Sequence, residues 1–168
     1  MNERLGLRKV LIVDDEIEIL DYLSGYMGDL NLKAETAVDG KTAVEKLTGE
    51  PFQAVICDIK MPGMSGLECM AECHKRGIFV PFIYLTGYAD TPNILQAVRL
   101  GAMDFLSKPF KVDELEEVLF RVLDIGARRE RILQDLEAEN PKLFEKYKHH
   151  NRMISLLRAT NNQRRKAG

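Results

Sequence analysis

Hydrophobic and polar positions follow two patterns that alternate along the chain. Short apolar runs rich in β-branched residues indicate strands, and longer segments with apolar positions three and four apart indicate amphipathic helices. The two patterns alternate five times, which predicts five pairs of strand and helix. The predicted strands are KVLIV, KAETAV, QAVIC, VPFIYL and MDFLS, and the predicted helices are EIEILDYLSGYM, KTAVEKL, GLECMAECHKR, TPNILQAVRLG and VDELEEVLFRVL.

The strict alternation predicts an α/β fold with a doubly wound, five-stranded parallel sheet. Helices would cover both faces of this sheet and connect its strands by right-handed crossovers. The first, third and fourth strands are apolar throughout, as expected for strands that are buried on both faces.

The pattern after the fifth strand predicts a C-terminal helical extension. The apolar stripe of the fifth helix continues past Leu123, although Gly126 and Arg129 interrupt it. Pro141 then predicts a break, because proline disfavours a helical residue before it. We therefore expect one domain over residues 1–124 and a basic helical extension with a disordered end over 125–168. The second amphipathic segment of this extension carries Leu143, Tyr147, His150, Ile154 and Leu157 at helical spacing.

Charge separates the same two parts. The segment from Pro141 onward holds eight basic residues and one acid, so it carries +7 while the rest of the chain carries −9. A basic extension on an acidic domain fits three uses: docking or dimerisation, nucleic-acid binding, or a solvated face that keeps the protein soluble. Two helical segments are too few for a helix-turn-helix or winged-helix domain with its own core.

Composition limits the protein class. The 168 residues are 45% hydrophobic, enough for one core, and the sequence shows neither a membrane span nor a secretory signal. We expect a cytoplasmic protein with three free thiols. Cys69 and Cys73 lie one helical turn apart beside His74, but this spacing fits no usual zinc pattern, so we expect ordinary half-buried packing there.

Charged and hydroxyl residues stand where the predicted strands end. In a doubly wound sheet, ligands bind at the carboxyl ends of the strands, so these side chains would converge on one crevice. They are Asp14 and Asp15 after the first strand, Asp58 after the third, Thr86 after the fourth, and Ser107, Lys108 and Pro109 after the fifth.

Three converging carboxylates repel one another unless a cation neutralises them, and Mg²⁺ suits such oxygen ligands. Lys108 opposite the cation would leave a gap suited to a phosphoryl group, with Asp58 as nucleophile. Each residue also has an ordinary reading. Asp15 with Glu18 could form a helix capping pair, and the others could be turn residues or a surface charge.

The motifs LIVDDE, VICDIKMPGMSG, YLTGYAD and GAMDFLSKPF carry a resemblance to a known family. Residues 8–123 resemble the response-regulator receiver domain of two-component signalling. The resemblance implies a flavodoxin-like sheet with strand order 2-1-3-4-5, and it leaves the last forty-odd residues unmatched.

The resemblance also implies roles for individual residues. Asp58 is the implied phosphoacceptor. Asp15, Asp58 and the main-chain carbonyl of Lys60 would bind Mg²⁺ directly, and Asp14 would act through water. Thr86 and Lys108 would contact the phosphoryl group, and the Lys108 to Pro109 peptide bond would be cis.

Two further roles concern signalling and the lifetime of the phosphate. Movement of Thr86 would let Phe105 swing inward, although Phe105 replaces a common tyrosine and is also a candidate core residue. Lys60 and Tyr88 occupy the positions that set the lifetime, and both are large. We therefore expect a long-lived phosphoaspartate.

The expected function is that of a phosphorylatable response regulator. Its partners would be a histidine kinase or phosphotransfer protein and a downstream protein target, with a possible homodimer through the C-terminal helices. The alternative is a transcriptional or nucleic-acid-binding regulator that acts through the basic extension. We do not expect an enzyme beyond self-phosphorylation and autodephosphorylation, because aspartyl-phosphate phosphatases carry the nucleophile after their first strand.

Overall fold

The computed structural model describes residues 8–87 and 91–147, which form one parallel sheet with helices on both faces. The strand order is β2-β1-β3-β4-β5, so the predicted fold class is confirmed. The strands are β1 (Lys9–Val13), β2 (Lys33–Ala37), β3 (Ala54–Asp58), β4 (Phe82–Thr86) and β5 (Asp104–Ser107). The helices are α1 (Ile17–Asp29), α2 (Gly40–Gly49), α3 (Gly66–Lys75), α4 (Thr91–Leu100), α5 (Val112–Glu139) and α6 (Pro141–Tyr147).

The central strands are buried on both faces. Every residue of β3 and β4 is buried, and alternate residues face two separate cores. Val55 packs with residues of α2 and α3, whereas Ala54 and Ile56 pack with α1 and α5. Because both faces are covered, these strands need apolar side chains at every position. A carboxylate that ends such a strand is therefore held by a rigid frame.

Helix caps fix the loops after the strands. Ser65 forms a capping box with Glu68 at the start of α3, which sets the path of the chain after Asp58. At the start of α1 the N-cap residue is Glu16, and no side chain caps that helix. The capping reading of Asp15 with Glu18 is therefore wrong.

Helix α5 runs through Gly126 and Arg129 without interruption, over 28 residues. Asn140 then ends it, and the Asn140 side chain accepts a hydrogen bond from the Leu143 N–H at the start of α6. Pro141 takes the first helical position, where its missing N–H costs nothing. The positions His150, Ile154 and Leu157 of the second amphipathic segment lie outside the described residues. None of the described helices combines the length and the apolar character needed to cross a membrane.

The three cysteines are free thiols, as predicted, but the half-buried packing expected for Cys69 and Cys73 is wrong. Both are fully buried, and so is Cys57. They point into the core between the sheet and α3, where a small apolar side chain fits. His74 instead stacks on Phe79 with 5.1 Å between ring centroids.

Candidate functional site

Three carboxylates meet at the carboxyl edge of the sheet. Asp14 follows β1, Asp15 comes next, and Asp58 is the last residue of β3. One ligand oxygen from each lies within 4.8 Å of the others. Within residues 8–87 and 91–147, this is the one group of three or more such side chains close enough to share a metal ion. Three hard oxygen donors at this separation fit a divalent cation such as Mg²⁺.

Burial differs among the three acids. Asp14 is fully buried, Asp58 keeps 11% of its side chain exposed, and Asp15 is exposed. The Asp14 carboxylate accepts hydrogen bonds from the Glu16 N–H and from the ammonium of Lys108, both at 2.9 Å. The cluster thus has a buried floor and an open side from which a ligand can approach.

Lys108 is the cation that faces the cluster. Its Nζ lies 2.9 Å from Asp14, 3.6 Å from Asp58 and 3.8 Å from Glu16. Its backbone N–H donates to the carbonyl of Thr86 at 2.7 Å, and the peptide bond to Pro109 is cis, the geometry that the resemblance implies. Partial burial of Lys108 opposes its charge, but the hydrogen bond to Asp14 and the charge of Asp58 outweigh burial and raise the pKa of Lys108.

The surroundings of Asp58 disfavour the charged form of its side chain. Burial raises the pKa of Asp58 above its ordinary value. The charge of Lys108 acts in the opposite direction, as does a hydrogen bond from the Lys60 backbone, whereas Asp14 and Asp15 add repulsion. A cation bound between the acids would relieve that repulsion. The repulsion from Asp14 and Asp15 therefore favours a cation bound between the three acids.

Of the other predicted site residues, Thr86 and Lys60 lie at or just after the carboxyl ends of strands, whereas Phe105 lies within β5. Thr86 ends β4, is 1% exposed, and donates its hydroxyl hydrogen to the Gly87 carbonyl at 3.1 Å. Phe105 pairs with Tyr84 across β4 and β5 and is 37% exposed, so it is not a core residue in this conformation. Lys60 is exposed in the loop after β3. Tyr88 lies outside the described residues.

Two supporting residues were missed by the sequence analysis. A Cβ atom on Gly66 would lie 2.2 Å from the Asp58 carbonyl oxygen, so only glycine allows α3 to start this close to the end of β3. The buried hydroxyl of Tyr84 donates to the Gly66 carbonyl at 2.9 Å and ties β4 to the same turn. A glycine immediately after the Ser65 cap was the available signal, but a single glycine predicts no particular neighbour.

The fold and the site together define a class: a doubly wound α/β domain with an acidic, lysine-faced pocket at the carboxyl edge of its sheet. The family model for the response regulator receiver domain matches residues 10–120. The chain therefore belongs to the response regulator receiver family, and receiver domains are signalling domains.

Individual relatives agree with this family. The chain is 29% identical over 132 residues to the transcriptional regulatory protein FixJ of Bradyrhizobium diazoefficiens, covering 77% of this chain and 64% of FixJ. It is 31% identical to the regulatory protein AtoC of Escherichia coli, covering 76% of this chain and 28% of AtoC. The chain thus spans less than two thirds of either relative.

A solved structure shows the same fold. The Vibrio cholerae chemotaxis protein CheY4 is 33% identical and superposes with a TM-score of 0.66. The match covers 99% of CheY4 but 70% of this chain. The rest of this chain has no counterpart in that match.

Proposed function

We propose that this protein is a phosphorylatable response regulator that accepts a phosphoryl group on Asp58 from a histidine kinase or phosphotransfer protein. The observation that carries the proposal is the position of Asp58. It ends a fully buried strand, shares a metal-sized gap with Asp14 and Asp15, and lies 3.6 Å from the ammonium of Lys108. Positioning and charge stabilisation are most of what phosphoryl transfer requires of a protein.

Asp15, Asp58 and the Lys60 carbonyl would hold Mg²⁺ directly, with Asp14 acting through water. The ion would supply positive charge for the phosphoryl oxygens and lower the repulsion among the carboxylates. The donor set fits this ion, because all the proposed ligands are oxygens and the pocket is open on one side.

In the transfer step, a carboxylate oxygen of Asp58 forms a bond to phosphorus while the bond from phosphorus to the donor nitrogen breaks. The donor imidazole leaves with the electron pair of that bond and takes up a proton. Lys108 pairs with the phosphoryl oxygens, and the Thr86 hydroxyl exchanges its bond to Gly87 for a bond to one of them. Because the Asp58 backbone is fixed by β3 and by Gly66, little reorganisation precedes the attack.

The same movement of Thr86 would carry the signal. Phe105 pairs with Tyr84 of β4 and is 37% exposed, so it has apolar surface that an inward swing would bury once Thr86 shifts. The surface of α4, β5 and α5 would then change shape, which gives a downstream protein something to recognise.

The C-terminal extension would provide a second surface for contacts with other molecules. We propose a receiver domain over 1–124 and an interacting extension over 125–168, with a homodimer through the C-terminal helices as one form of that interaction. The helical continuity of α5 across residue 124 means that the two parts share one element. We also propose that the protein is cytoplasmic.

A second candidate is a nucleic-acid-binding regulator. It is supported by FixJ, which is named a transcriptional regulatory protein, and by the basic residues after Pro141. This candidate predicts binding to DNA or RNA that weakens steeply with salt and is lost when the residues after Glu139 are deleted.

Intact-mass spectrometry tests the phosphorylation itself. The chain is incubated with Mg²⁺ and acetyl phosphate, and one phosphoryl adduct is expected. Asp58→Asn should abolish the adduct, whereas Asp135→Asn, an exposed aspartate on α5, should retain it. An adduct that survives in Asp58→Asn would refute the proposed acceptor.

Light scattering then tests the output. The mass in solution is measured before and after addition of Mg²⁺ and beryllofluoride, which mimics the phosphoryl group. A change in mass that Asp58→Asn abolishes would support assembly as the output, and a constant monomer would overturn the homodimer.

A further inference from the structure

A cavity of about 640 Å³ lies at the opposite end of the sheet from Asp58. It is bounded by the amino ends of β1 and β3, by the chain just before β4, and by α5. The α5 wall comes from Leu123, Gly126, Ala127, Arg129, Glu130 and Leu133, all of which follow residue 120, where the match to the receiver family ends. The cavity is therefore a joint product of the receiver domain and the helical continuation.

At Gly126 the helix lies close to the edge of the sheet. A Cβ atom there would lie 3.7 Å from the Gln53 carbonyl oxygen and from the Pro81 ring, which is ordinary contact distance. A larger side chain at this position would have to extend into the cavity. Arg129 also connects the helix to the chain before β4, because its guanidinium donates a hydrogen bond to the Phe79 carbonyl at 2.5 Å.

The lining combines apolar walls with five charged side chains. Apolar walls come from Leu47, Phe52, Ile78, Val80, Pro81 and Leu133. A volume of this size is in the range of small-molecule sites, which pair apolar walls with placed polar groups.

The three cations of the lining differ in whether an acidic side chain pairs with them. Lys9 forms salt bridges with Glu35 and Glu50, and Arg8 lies 3.9 Å from Asp124. Arg129 forms no salt bridge with any residue in the described part of the chain. Its Nε is the one buried side-chain nitrogen or oxygen there without a hydrogen-bond partner.

Burial lowers the pKa of Arg129, with Glu130 opposing the shift. A guanidinium stays protonated at neutral pH even so, and Arg129 is half-buried, so its charge is partly removed from water without a counter-ion in the described residues. Three cations and two acids line the cavity: Arg8, Lys9 and Arg129, and Glu50 and Glu130. Arg8 and Lys9 are paired with acids, so Arg129 is the lining cation without a salt bridge in the described residues.

We propose that this cavity binds a small organic anion with an apolar body, whose acidic group pairs with Arg129 while the body packs against the apolar walls. The cavity supplies the two features that such a ligand needs, and Arg129 gains the counter-ion it lacks within the described chain. This site is separate from the phosphorylation site and does not depend on the proposed function.

Two fluorescent probes of matched shape test the proposal on the full chain. The anion 1-anilinonaphthalene-8-sulfonate carries a sulfonate on an aromatic body, and N-phenyl-1-naphthylamine has the same body without the charge. We expect saturable binding of the anion with one site per chain. Arg129→Gln should weaken binding of the anion by about tenfold or more, since it removes a charge-assisted contact, and should change binding of the neutral probe by less than about twofold.

Matched variants locate the site. Arg131→Gln removes the same charge from an exposed position of α5 and should leave both affinities within about twofold of the wild type. Gly126→Leu should fill the cavity and reduce binding of both probes. Circular dichroism melting curves identify any variant that fails to fold. If Gly126→Leu does not fold, the comparison of Arg129→Gln with the wild type still decides whether the anion binds beside Arg129. Absence of saturable binding, or equal affinity of the anion for wild type and Arg129→Gln, would overturn the proposal.

Discussion

The ammonium of Lys108 lies 2.9 Å from a carboxylate oxygen of Asp14, 94 residues earlier in the sequence. It lies farther from Asp58, at 3.6 Å. The lysine thus binds most closely to the fully buried acid and leaves Asp58 with the weaker contact. Lys108 is already the counter-ion of the cluster before any ligand binds, and a phosphoryl group would have to draw it away from Asp14.

Replacing Lys108 should therefore destabilise the metal-free protein. Lys108→Gln leaves Asp14 buried with one partner fewer, and we expect a loss of about 2 kcal/mol in the free energy of unfolding at neutral pH. Urea denaturation measures the loss. Lys33→Gln, an exposed lysine of the edge strand β2, should change stability by less than about 0.5 kcal/mol. Equal effects in the two variants would show that the contact to Asp14 contributes little.

Asp58→Asn should stabilise the metal-free protein at neutral pH. The folded state raises the pKa of Asp58 above its ordinary 3.8, so the folded state binds the proton more tightly than the unfolded state. The contribution of Asp58 to wild-type stability then falls as the pH rises from 3.8 through the raised pKa. We expect a gain of about 1 kcal/mol for Asp58→Asn at neutral pH.

This gain should shrink as the pH falls through the raised pKa toward 3.8, because protonation removes the disfavoured charge of Asp58 from the folded wild type. Thermal unfolding at a series of pH values measures it. A gain that stays constant over the whole series would rule out titration of Asp58 as the cause.

Mg²⁺ should raise the melting temperature of the wild type. Binding to the folded state alone adds about 2.7 kcal/mol when the ion is present at 100 times its dissociation constant. Asp15→Asn removes a proposed ligand that is exposed, so it should reduce the Mg²⁺ response without much change in stability of the metal-free protein. A chelator should reverse the shift. An equal shift in Asp15→Asn would remove Asp15 from the ligand set.

Gly66→Ala should damage both stability and phosphorylation. The added methyl group would overlap the Asp58 carbonyl at 2.2 Å and the Cys57 sulfur at 2.9 Å, so the end of β3 must move. We expect a loss of about 1–3 kcal/mol, the usual cost of overpacking, and slower formation of the phosphoryl adduct.

The control for this variant is Gly25→Ala in α1. Apart from its chain neighbours and the backbone of its own helix, no atom of the described residues lies within 4 Å of the position that its Cβ would take. Alanine there should therefore stabilise the helix by up to about 1 kcal/mol. A tolerated Gly66→Ala would contradict the close approach between β3 and α3.

The predicted long lifetime of the phosphate depends on Lys60 and Tyr88. Replacing them together, Lys60→Asn with Tyr88→Glu, introduces groups that can orient an attacking water. We expect loss of phosphate to accelerate by at least about tenfold. The decay of the intact-mass adduct measures the rate, and an unchanged rate would exclude these side chains as the determinants.

The sequence predicted the sheet well because its signal is local. Continuous apolar runs such as Val55 to Cys57 are required wherever both faces of a strand are covered, and the structure buries each of these residues. The convergence of Asp14 and Asp58 followed from the geometry of parallel strands, because their carboxyl ends share one edge.

Contacts between distant positions could not be predicted in the same way. Gly66 matters because of an oxygen eight residues earlier, and Tyr84 because its hydroxyl reaches the carbonyl of Gly66. The burial of Cys69 and Cys73 was underestimated, since the face of α3 that meets the sheet is decided by packing. The hydrogen bond of Arg129 could not be predicted either, because its acceptor, the Phe79 carbonyl, lies 50 residues away in sequence.

Helix α5 begins four residues after Lys108 and continues without a break to Glu139. At 1.5 Å per residue its 28 residues form a rod of about 42 Å, longer than the sheet it lies against. The rod starts beside the acidic pocket and passes the cavity at the other end. One continuous helix therefore runs from the acidic pocket to the cavity. No loop separates its first turn from the residues that line the cavity, so a shift of that turn would move the helix as one body.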